Sequence, residues 1–186
     1  VLATDAIAFD PPLPVWKQEA VHAVPLGQAN KVVFRLKERL GGLPDTSYGR
    51  LDRGSPRTLG FHCHVFGHPM ITAYLAGRSG EALEREGDEA MVAFARECLV
   101  TMFGADVLGL LDGVQVTGWG GDRHILGAYS VARPGKALLR DRLATPVDGQ
   151  LYFAGEAVSL TAFGTAHGAW ESGIKAIDAM ASRANG

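Results

Sequence analysis

Residues 150–180 read QLYFAGEAVSLTAFGTAHGAWESGIKAIDAM, and this stretch has parts of different physical character. A short apolar run at residues 151–154 is typical of a strand, and Gly155 ends it. After a loop, Gly164 and Thr165 open a predicted helix that is rich in alanine and glycine. Small residues of this kind let another backbone or a flat ligand come close to the helix.

The order of strand, glycine turn and helix start has a chemical consequence. The first N–H groups of a helix have no acceptor within the helix, and they lie at the positive end of its dipole. An electron-rich ligand atom therefore suits this place. A glycine-rich turn is also typical of close packing between a helix and a sheet, and the pattern by itself leaves both interpretations open.

Two motifs in this stretch carry a family resemblance. Residues 153–156 read FAGE and residues 164–173 read GTAHGAWESG. In order and spacing they resemble the C-terminal flavin-binding signature of the flavin-containing amine oxidases, which include monoamine oxidases, polyamine oxidases and flavin-dependent histone lysine demethylases. The resemblance implies that the cofactor is FAD. The cofactor-binding residues that it implies are Gly155, Glu156, Gly164, Thr165, Ala166 and Trp119.

The N-terminal part contains a second match to this family. Residues 11–14 read PPLP, which holds the backbone extended or turning, and residues 16–23 can form a short helix. Gly27 and Lys31 then precede a predicted strand at residues 32–36. A lysine at the start of a strand is usually a solvated charge. The amine oxidases also carry a PPLP turn, a short helix and G-x-x-x-K before a strand, and their lysine reaches through a water towards the flavin N5. The resemblance therefore implies a catalytic role for Lys31.

A third match to this family concerns residues that would contact the substrate. Residues 114–119 predict a strand that ends in Trp119, and Tyr129 follows within GAYS. Aromatic residues that follow strands belong to the hydrophobic core as often as to a binding site. Amine oxidases have a tryptophan here, then G-x-[YF]-S, and the aromatic residue walls the substrate. The resemblance implies that Trp119, Tyr129 and Thr165 contact the substrate. Thr165 stands where monoamine oxidases have a second tyrosine, so a bulkier amine or an amino acid would fit as readily.

The middle of the chain predicts core structure. Residues 37–57 read as irregular surface, whereas residues 58–65 and 70–76 read as two neighbouring strands joined by a short turn. Asp88 then caps a predicted helix that Gly104 ends. Its apolar stripe consists of Met91, Phe94, Ala95, Cys98, Leu99 and Met102. This order of elements predicts an α+β fold with a mixed sheet flanked by helices.

Three histidines could suggest a metal site, because His62 and His64 would share one face of a strand and His68 lies near them. No carboxylate or further cysteine lies close by in the sequence. We therefore expect no bound metal, and interpret these residues as a polar or pocket-lining strand face.

The composition narrows the classes of partner and of cellular compartment that are expected. The chain has 186 residues, 47% of them hydrophobic, and a net charge of −2, so neither nucleic acid nor a membrane is an expected partner. Cys63 and Cys98 lie in unlike contexts, which predicts no disulfide framework and a cytoplasmic location. The chain opens on Val1 without a methionine, which suggests a fragment.

The dinucleotide fingerprint G-x-G-x-x-G is absent from the sequence. In the family it lies far upstream, so the resemblance implies the C-terminal part of an FAD-dependent amine oxidase. Residues 1–145 would be its substrate-binding portion, and residues 146–186 the last strand and helix of its FAD-binding domain. An N-terminal dinucleotide-binding portion would then be the partner, and the fragment alone would be inactive.

The reaction that the resemblance implies is hydride transfer from the carbon beside an amine to flavin N5, with oxygen reduced to hydrogen peroxide. The amine must be neutral, since an ammonium has no lone pair to expel the hydride. Two alternatives stay open: a flavin-dependent oxidase or desaturase of a non-amine substrate, and a non-catalytic binding domain that kept the fold.

Overall fold

The computed structural model describes residues 2–4, 6–51 and 58–184. Its contacts divide the chain into two compact units. We call Gln28–Ala128 the sheet unit, and Val1–Gly27 together with Tyr129–Gly186 the terminal unit.

The sheet unit contains a five-stranded antiparallel sheet of order β2-β3-β4-β1-β5. The strands are β1 (Ala29–Leu36), β2 (Ser47–Leu51), β3 (Leu59–Cys63), β4 (Met70–Ala76) and β5 (Leu111–Val116). The α+β class is confirmed, although every pairing is antiparallel and the expected mixed sheet is not seen among the described strands. The reason is that β4 and β5 run the same way on opposite sides of β1, so the helical connection between them passes over one strand.

Three helices follow β4 in the sheet unit. They are α2 (Gly77–Glu86), α3 (Asp88–Phe103) and α4 (Val107–Leu110). The predicted stripe of α3 is confirmed from Met91 to Leu99, and Met102 is partly buried against the same core. Gly104, with a φ of 83°, ends the helix as expected, whereas its N-terminal cap is Gly87 and Asp88 is its first residue.

The strands bury alternate side chains against these helices. On β1, Val32, Phe34 and Leu36 are buried, and the residues between them are exposed or half-buried. On β3, Phe61 is fully buried in the same core. This alternation follows from the two-residue period of a strand and gives the sheet one buried and one more open face.

The predicted pairing of two neighbouring strands is confirmed, since Gly60 lies opposite Tyr74 and Cys63 opposite Ile71. Their connection is longer than the expected short turn and contains a 3-10 helix at Val65–Gly67. The preceding segment differs too, because the predicted irregular surface includes β2. No pattern in the sequence predicts β2. Its alternation of exposed and half-buried side chains is seen only in the structure, where it pairs with β3. Residues 52–57 lie outside the described residues.

The expected common face of His62 and His64 is wrong. The strand ends at Cys63, and His64 takes a left-handed conformation with a φ of 55° and is fully buried. Its Nε2 accepts a hydrogen bond of 3.1 Å from the backbone N–H of Leu40. His62 lies instead between the rings of Tyr48 and Tyr74. The described residues contain no group of three or more metal-ligating side chains.

The terminal unit contains α1 (Val15–Ala23), α5 (Leu139–Ala144) and α6 (Ala166–Ala184), with a 3-10 helix at Glu156–Val158. Helices α1 and α6 confirm the two predicted at these places. The small core of the unit consists of Ala20, Val21, Ala23, Val24 and Leu143. None of the helices in the described part of the chain has the length and hydrophobicity that crossing a bilayer requires.

Two predicted strands differ from the structure. Residues 151–154 form no strand, since only Leu151 makes an isolated bridge, with Val147. A strand needs a neighbouring backbone for its hydrogen bonds, and no described segment runs alongside this one. The strand predicted at residues 114–119 is β5, which begins three residues earlier and ends at Val116. The division into residues 1–145 and 146–186 stays a prediction.

The core of the sheet unit offers a matched pair of phenylalanines. Phe61 is fully buried, whereas Phe66 is 87% exposed. We expect Phe61→Ala to lower the free energy of unfolding by about 3–5 kcal/mol, because it leaves a cavity. Phe66→Ala should change it by less than about 0.5 kcal/mol. Urea unfolding of both variants measures this, and equal losses would contradict the assignment of the core.

Candidate functional site

The predicted site residues divide between the two units. Lys31 and Trp119 belong to the sheet unit. The terminal unit carries Gly155, Glu156, Gly164, Thr165, Ala166 and Tyr129.

Lys31 is exposed on β1, and its backbone is fixed on both sides. Its N–H donates to Oγ1 of Thr117 at 2.8 Å, and its carbonyl accepts from the N–H of Thr117 at 3.0 Å. The ammonium lies 5.2 Å from the centre of the Tyr74 ring. The strand thus fixes the backbone of Lys31, and the side chain is exposed.

Trp119 is positioned by a residue that the sequence did not single out. Its backbone N–H donates to Oδ1 of Asn30 at 3.0 Å, and the hydroxyl of Thr117 donates to the same oxygen at 3.1 Å. Asn30 is only 1% exposed, whereas the Trp119 side chain is partly open at 39%. The side-chain amide of Asn30, the residue before Lys31, therefore fixes the backbone of Trp119. The position of Asn30 in the sequence does not indicate this role.

Glu156 joins three segments of the terminal unit. Its Oε1 accepts from the N–H of Ser130 at 2.7 Å. Its Oε2 accepts at 2.7 Å from both the hydroxyl of Ser130 and the N–H of Gly164. Both carboxylate oxygens are thus engaged within the protein. With three hydrogen bonds already accepted, the carboxylate has little remaining acceptor capacity for a ligand. Any effect of Glu156 on a ligand would come through the segments that it positions.

Arg140 completes this network from α5. The residue is 2% exposed, and its Nη1 donates to the Ser130 hydroxyl at 2.6 Å and to the carbonyl of Ala157 at 2.8 Å. Its Nη2 donates to the carbonyl of Ser130 at 3.2 Å, and the guanidinium lies 4.4 Å from the centre of the Phe163 ring. The Ser130 hydroxyl therefore links the guanidinium to the Glu156 carboxylate.

The charges of this network support one another. Burial raises the pKa of the Glu156 carboxyl, but the hydrogen bonds from Ser130 and Gly164 and the charge of Arg140 outweigh it, so the pKa is lowered. Burial lowers the pKa of Arg140, and the Glu156 charge opposes this effect. Glu156 is accordingly a carboxylate at neutral pH, in a place where partners satisfy it.

The Tyr129 ring lies beside the turn that precedes α6. A methyl group placed on Gly164 would lie 3.7 Å from Cδ2 of Tyr129, at ordinary contact distance. The carbonyl of Tyr129 accepts from the N–H of Gly27 at 2.7 Å, and its side chain is 48% exposed. The terminal unit thus brings the predicted substrate aromatic to the predicted cofactor turn.

Thr165 acts as the cap of α6. Its hydroxyl donates to the carbonyl of Ala162 at 2.6 Å and accepts from the N–H of Gly168 at 3.1 Å. The first amide to bond onto the helix backbone is that of Ala169. The earlier N–H group of Ala166, at the first position of the helix, has no acceptor within the helix.

Gly155 is held from the side of α6. Its N–H donates to the hydroxyl of Ser172 at 2.8 Å. Its φ of 130° suits only glycine, and a methyl group added there would meet nothing within 4 Å. Glycine is therefore required by the backbone conformation, and the space above it is open.

The sequence missed four residues that build this arrangement, namely Asn30, Ser130, Arg140 and Ser172. Ser130 alone could have been found, because it is the serine of the matched GAYS motif. A buried arginine or asparagine has no local signature, since such residues are mostly exposed.

The network predicts a pH dependence of stability. Because the folded-state pKa of Glu156 is lowered from 4.5, its ionised form stabilises the fold above pH 4.5, and this contribution is lost as the pH falls through the folded pKa. Glu156→Gln should therefore cost about 2 kcal/mol at pH 7 and less at pH 3.5. Urea unfolding at both pH values measures the difference. Glu171→Gln, at an exposed carboxylate of α6, is the control, and an equal cost of Glu156→Gln at both pH values would contradict the role of its charge.

Comparison with known proteins gives consistent results along the chain. The family model for flavin containing amine oxidoreductases matches residues 1–181. Polyamine oxidase 2 of Arabidopsis thaliana is 36% identical over 188 residues, which cover 96% of this chain and 36% of that protein. Histone demethylase-like protein A of Aspergillus fumigatus is 32% identical over 198 residues, covering 95% of this chain and 18% of that protein.

The fold has a counterpart among solved structures. Cyclohexylamine oxidase from Brevibacterium oxydans IH-35A superposes with a TM-score of 0.71 at 21% identity, and the match covers 100% of this chain and 42% of that one. This likeness concerns the fold. The chain spans about a third of the length of the polyamine oxidase that it matches. The family match covers nearly the whole chain, and the chain therefore belongs to the flavin containing amine oxidoreductase family.

Proposed function

We propose that this chain is the C-terminal part of an FAD-dependent amine oxidase. The observation that carries the proposal is the position of the Tyr129 ring beside Gly164, just before the start of α6. An exposed aromatic ring and the open N–H groups of a helix are there held side by side. This pairs a wall for a substrate with a place for an electron-rich cofactor atom.

The residues at this turn fit a flavin. Gly155 and Gly164 both have positive φ values and leave the backbone bare, and the N–H of Ala166 can donate to a ring carbonyl or ring nitrogen. Glu156 would set the spacing of the two glycines through its bond to Gly164. When bound, FAD supplies the redox chemistry, accepting a hydride from the carbon beside the amine and passing the electrons to oxygen to give hydrogen peroxide.

The side chains of this chain would prepare the substrate. Tyr129 and Trp119 are aromatic and partly exposed, so each can cover an amine and keep water from it. A dry wall disfavours the ammonium by desolvation and so favours the neutral amine that the reaction needs. Lys31, whose backbone is fixed in β1, would hold a water beside the flavin.

The proposed enzyme needs a further portion of polypeptide, and α6 presents an apolar surface that can bind it. Trp170, Ile174 and Ile177 lie on one side of this helix and are 70%, 43% and 61% exposed. Elsewhere in the terminal unit, a groove of about 350 Å³ is lined by residues that include Tyr152 and Phe153. Since the chain matches only 36% of a polyamine oxidase, we assign these apolar surfaces to an N-terminal dinucleotide-binding portion.

A cytoplasmic location belongs to the same proposal. Cys63 and Cys98 are both buried residues of the sheet-unit core, where thiols pack like small hydrophobic side chains. A reducing compartment suits such residues.

The proposal is tested by assembly. We expect the purified chain alone to bind FAD weakly or not at all. Together with an N-terminal dinucleotide-binding portion, such as that of a related polyamine oxidase, it should retain about one FAD and release peroxide from amines. Trp170→Glu should prevent assembly, and Lys136→Glu, at an exposed residue of the same unit outside both surfaces, should not.

The other outcomes distinguish the alternatives. Peroxide release from non-amine substrates only would indicate a different flavin oxidase. Stable assembly without flavin would indicate a binding domain, and flavin retained by the chain alone would contradict the need for a second portion.

Lys31 gives a sharper prediction for the assembled enzyme. Lys31→Met removes the ammonium and keeps most of the volume of the stem. Flavin reduction or reoxidation should slow at least about tenfold, a barrier change of about 1.4 kcal/mol, while substrate binding changes much less. Stopped-flow measurement of both half-reactions tests this. Lys37→Met, at an exposed lysine just beyond β1, is the control, and unchanged rates in Lys31→Met would show a merely solvated charge.

A further inference from the structure

The terminal unit buries a second cation, which the proposed function does not use. Lys17 of α1 is fully buried, and its ammonium donates to three backbone carbonyls. They belong to Arg142 at 3.0 Å, Leu143 at 2.9 Å and Thr145. The ammonium also lies 4.0 Å from the centre of the Phe153 ring.

The three carbonyls lie at the C-terminal end of α5. The last carbonyls of a helix have no donor within it, and they form the negative end of the helix dipole. A buried ammonium placed there satisfies both. Burial lowers the pKa of Lys17 to about 8, but the ammonium still predominates at pH 7.

Helix α5 has only six residues, too few to be stable by itself. Lys17 binds its C-terminal end, and Arg140, its second residue, extends from the other end to Ser130 and Ala157. One buried cation therefore anchors each end of the helix. The segments that Arg140 contacts lie next to Tyr129 and Glu156.

We propose that Lys17 and Arg140 are positioning residues, which hold α5 as a rigid mount and thereby fix Tyr129 and the Glu156–Gly164 loop relative to each other. The chain of contacts is continuous. Lys17 holds α5, Arg140 holds Ser130, and Ser130 and Gly164 share the Glu156 carboxylate. Tyr129 precedes Ser130 directly, and its ring lies beside Gly164.

The consequence for catalysis rests on the proposed function. If Tyr129 and the start of α6 shape one site, their separation must stay constant, because small displacements of positioned groups cost large factors in rate. Arg140 and Lys17 would therefore act on the chemical step without touching substrate or cofactor.

Hydrogen exchange on the complete chain tests this positioning role and needs no bound flavin. The amides of Ser130 and Gly164 report directly, since both donate to Glu156. In Arg140→Met and in Lys17→Met we expect both amides to exchange at least tenfold faster, with the sheet-unit strands unchanged within twofold. Matched controls are Arg142→Met and Lys136→Met, at exposed cations of the same unit, which should exchange like the parent chain.

Two results would overturn the proposal. One is exchange of both amides at the parent rate. The other is an equal rise over all of the terminal unit, which would show a role in stability alone. Arg140→Lys keeps the charge without the fork of donors and guards against a variant that does not fold. It should raise the exchange of both amides by an intermediate factor, and parent-like exchange would likewise contradict the proposal.

A second arm concerns the assembled flavoprotein. Arg140→Lys should lower kcat at least tenfold, change KM for the amine less than threefold, and shift the flavin absorption seen on amine binding. An unchanged kcat would refute the catalytic consequence. If the parent assembly binds no flavin, the proposed function fails, while the exchange result still decides the structural part.

Discussion

The Glu156 carboxylate accepts three hydrogen bonds from two segments of the chain, and the terminal unit depends on this convergence. A partly buried carboxylate is costly unless its oxygens are satisfied, so the partners must be held in place. Ser130 supplies two of the bonds and is itself held by the buried guanidinium of Arg140. The result is a cross-link between segments that hydrophobic contacts alone would fix weakly, because the apolar core of this unit is small.

The sheet unit is built on the opposite principle. Its core is large and apolar, and the strands and α3 are ordered by burial. A buried polar side chain fixes one part of it, since Asn30, the residue before Lys31, accepts from the backbone N–H of Trp119 and from the hydroxyl of Thr117. In both units the residues expected at the site are placed by their neighbours. Their own side chains remain partly exposed, as groups that meet a ligand must be.

Thr165, which the resemblance assigned to the substrate, has a structural role in the terminal unit. Its hydroxyl caps α6 and so stabilises the start of the helix. The three atoms nearest to a methyl group placed on Gly164 all belong to Tyr129. The turn before α6 therefore has one long aromatic side chain beside it and one short threonine that is engaged in capping.

Local signals in the sequence determined the helices α1, α3 and α6, the strands β1, β3 and β4, part of β5, and the glycine turn before α6. Each of these depends on periodicity, proline or glycine within a few residues, and the family resemblance assigned the candidate site. Other features were decided by tertiary structure alone. Residues 151–154 are apolar enough for a strand, but they find no partner among the described residues. No local pattern marks Lys17 or Arg140 as buried, yet both are, because the carbonyls and the carboxylate that compensate their charges come from distant parts of the chain.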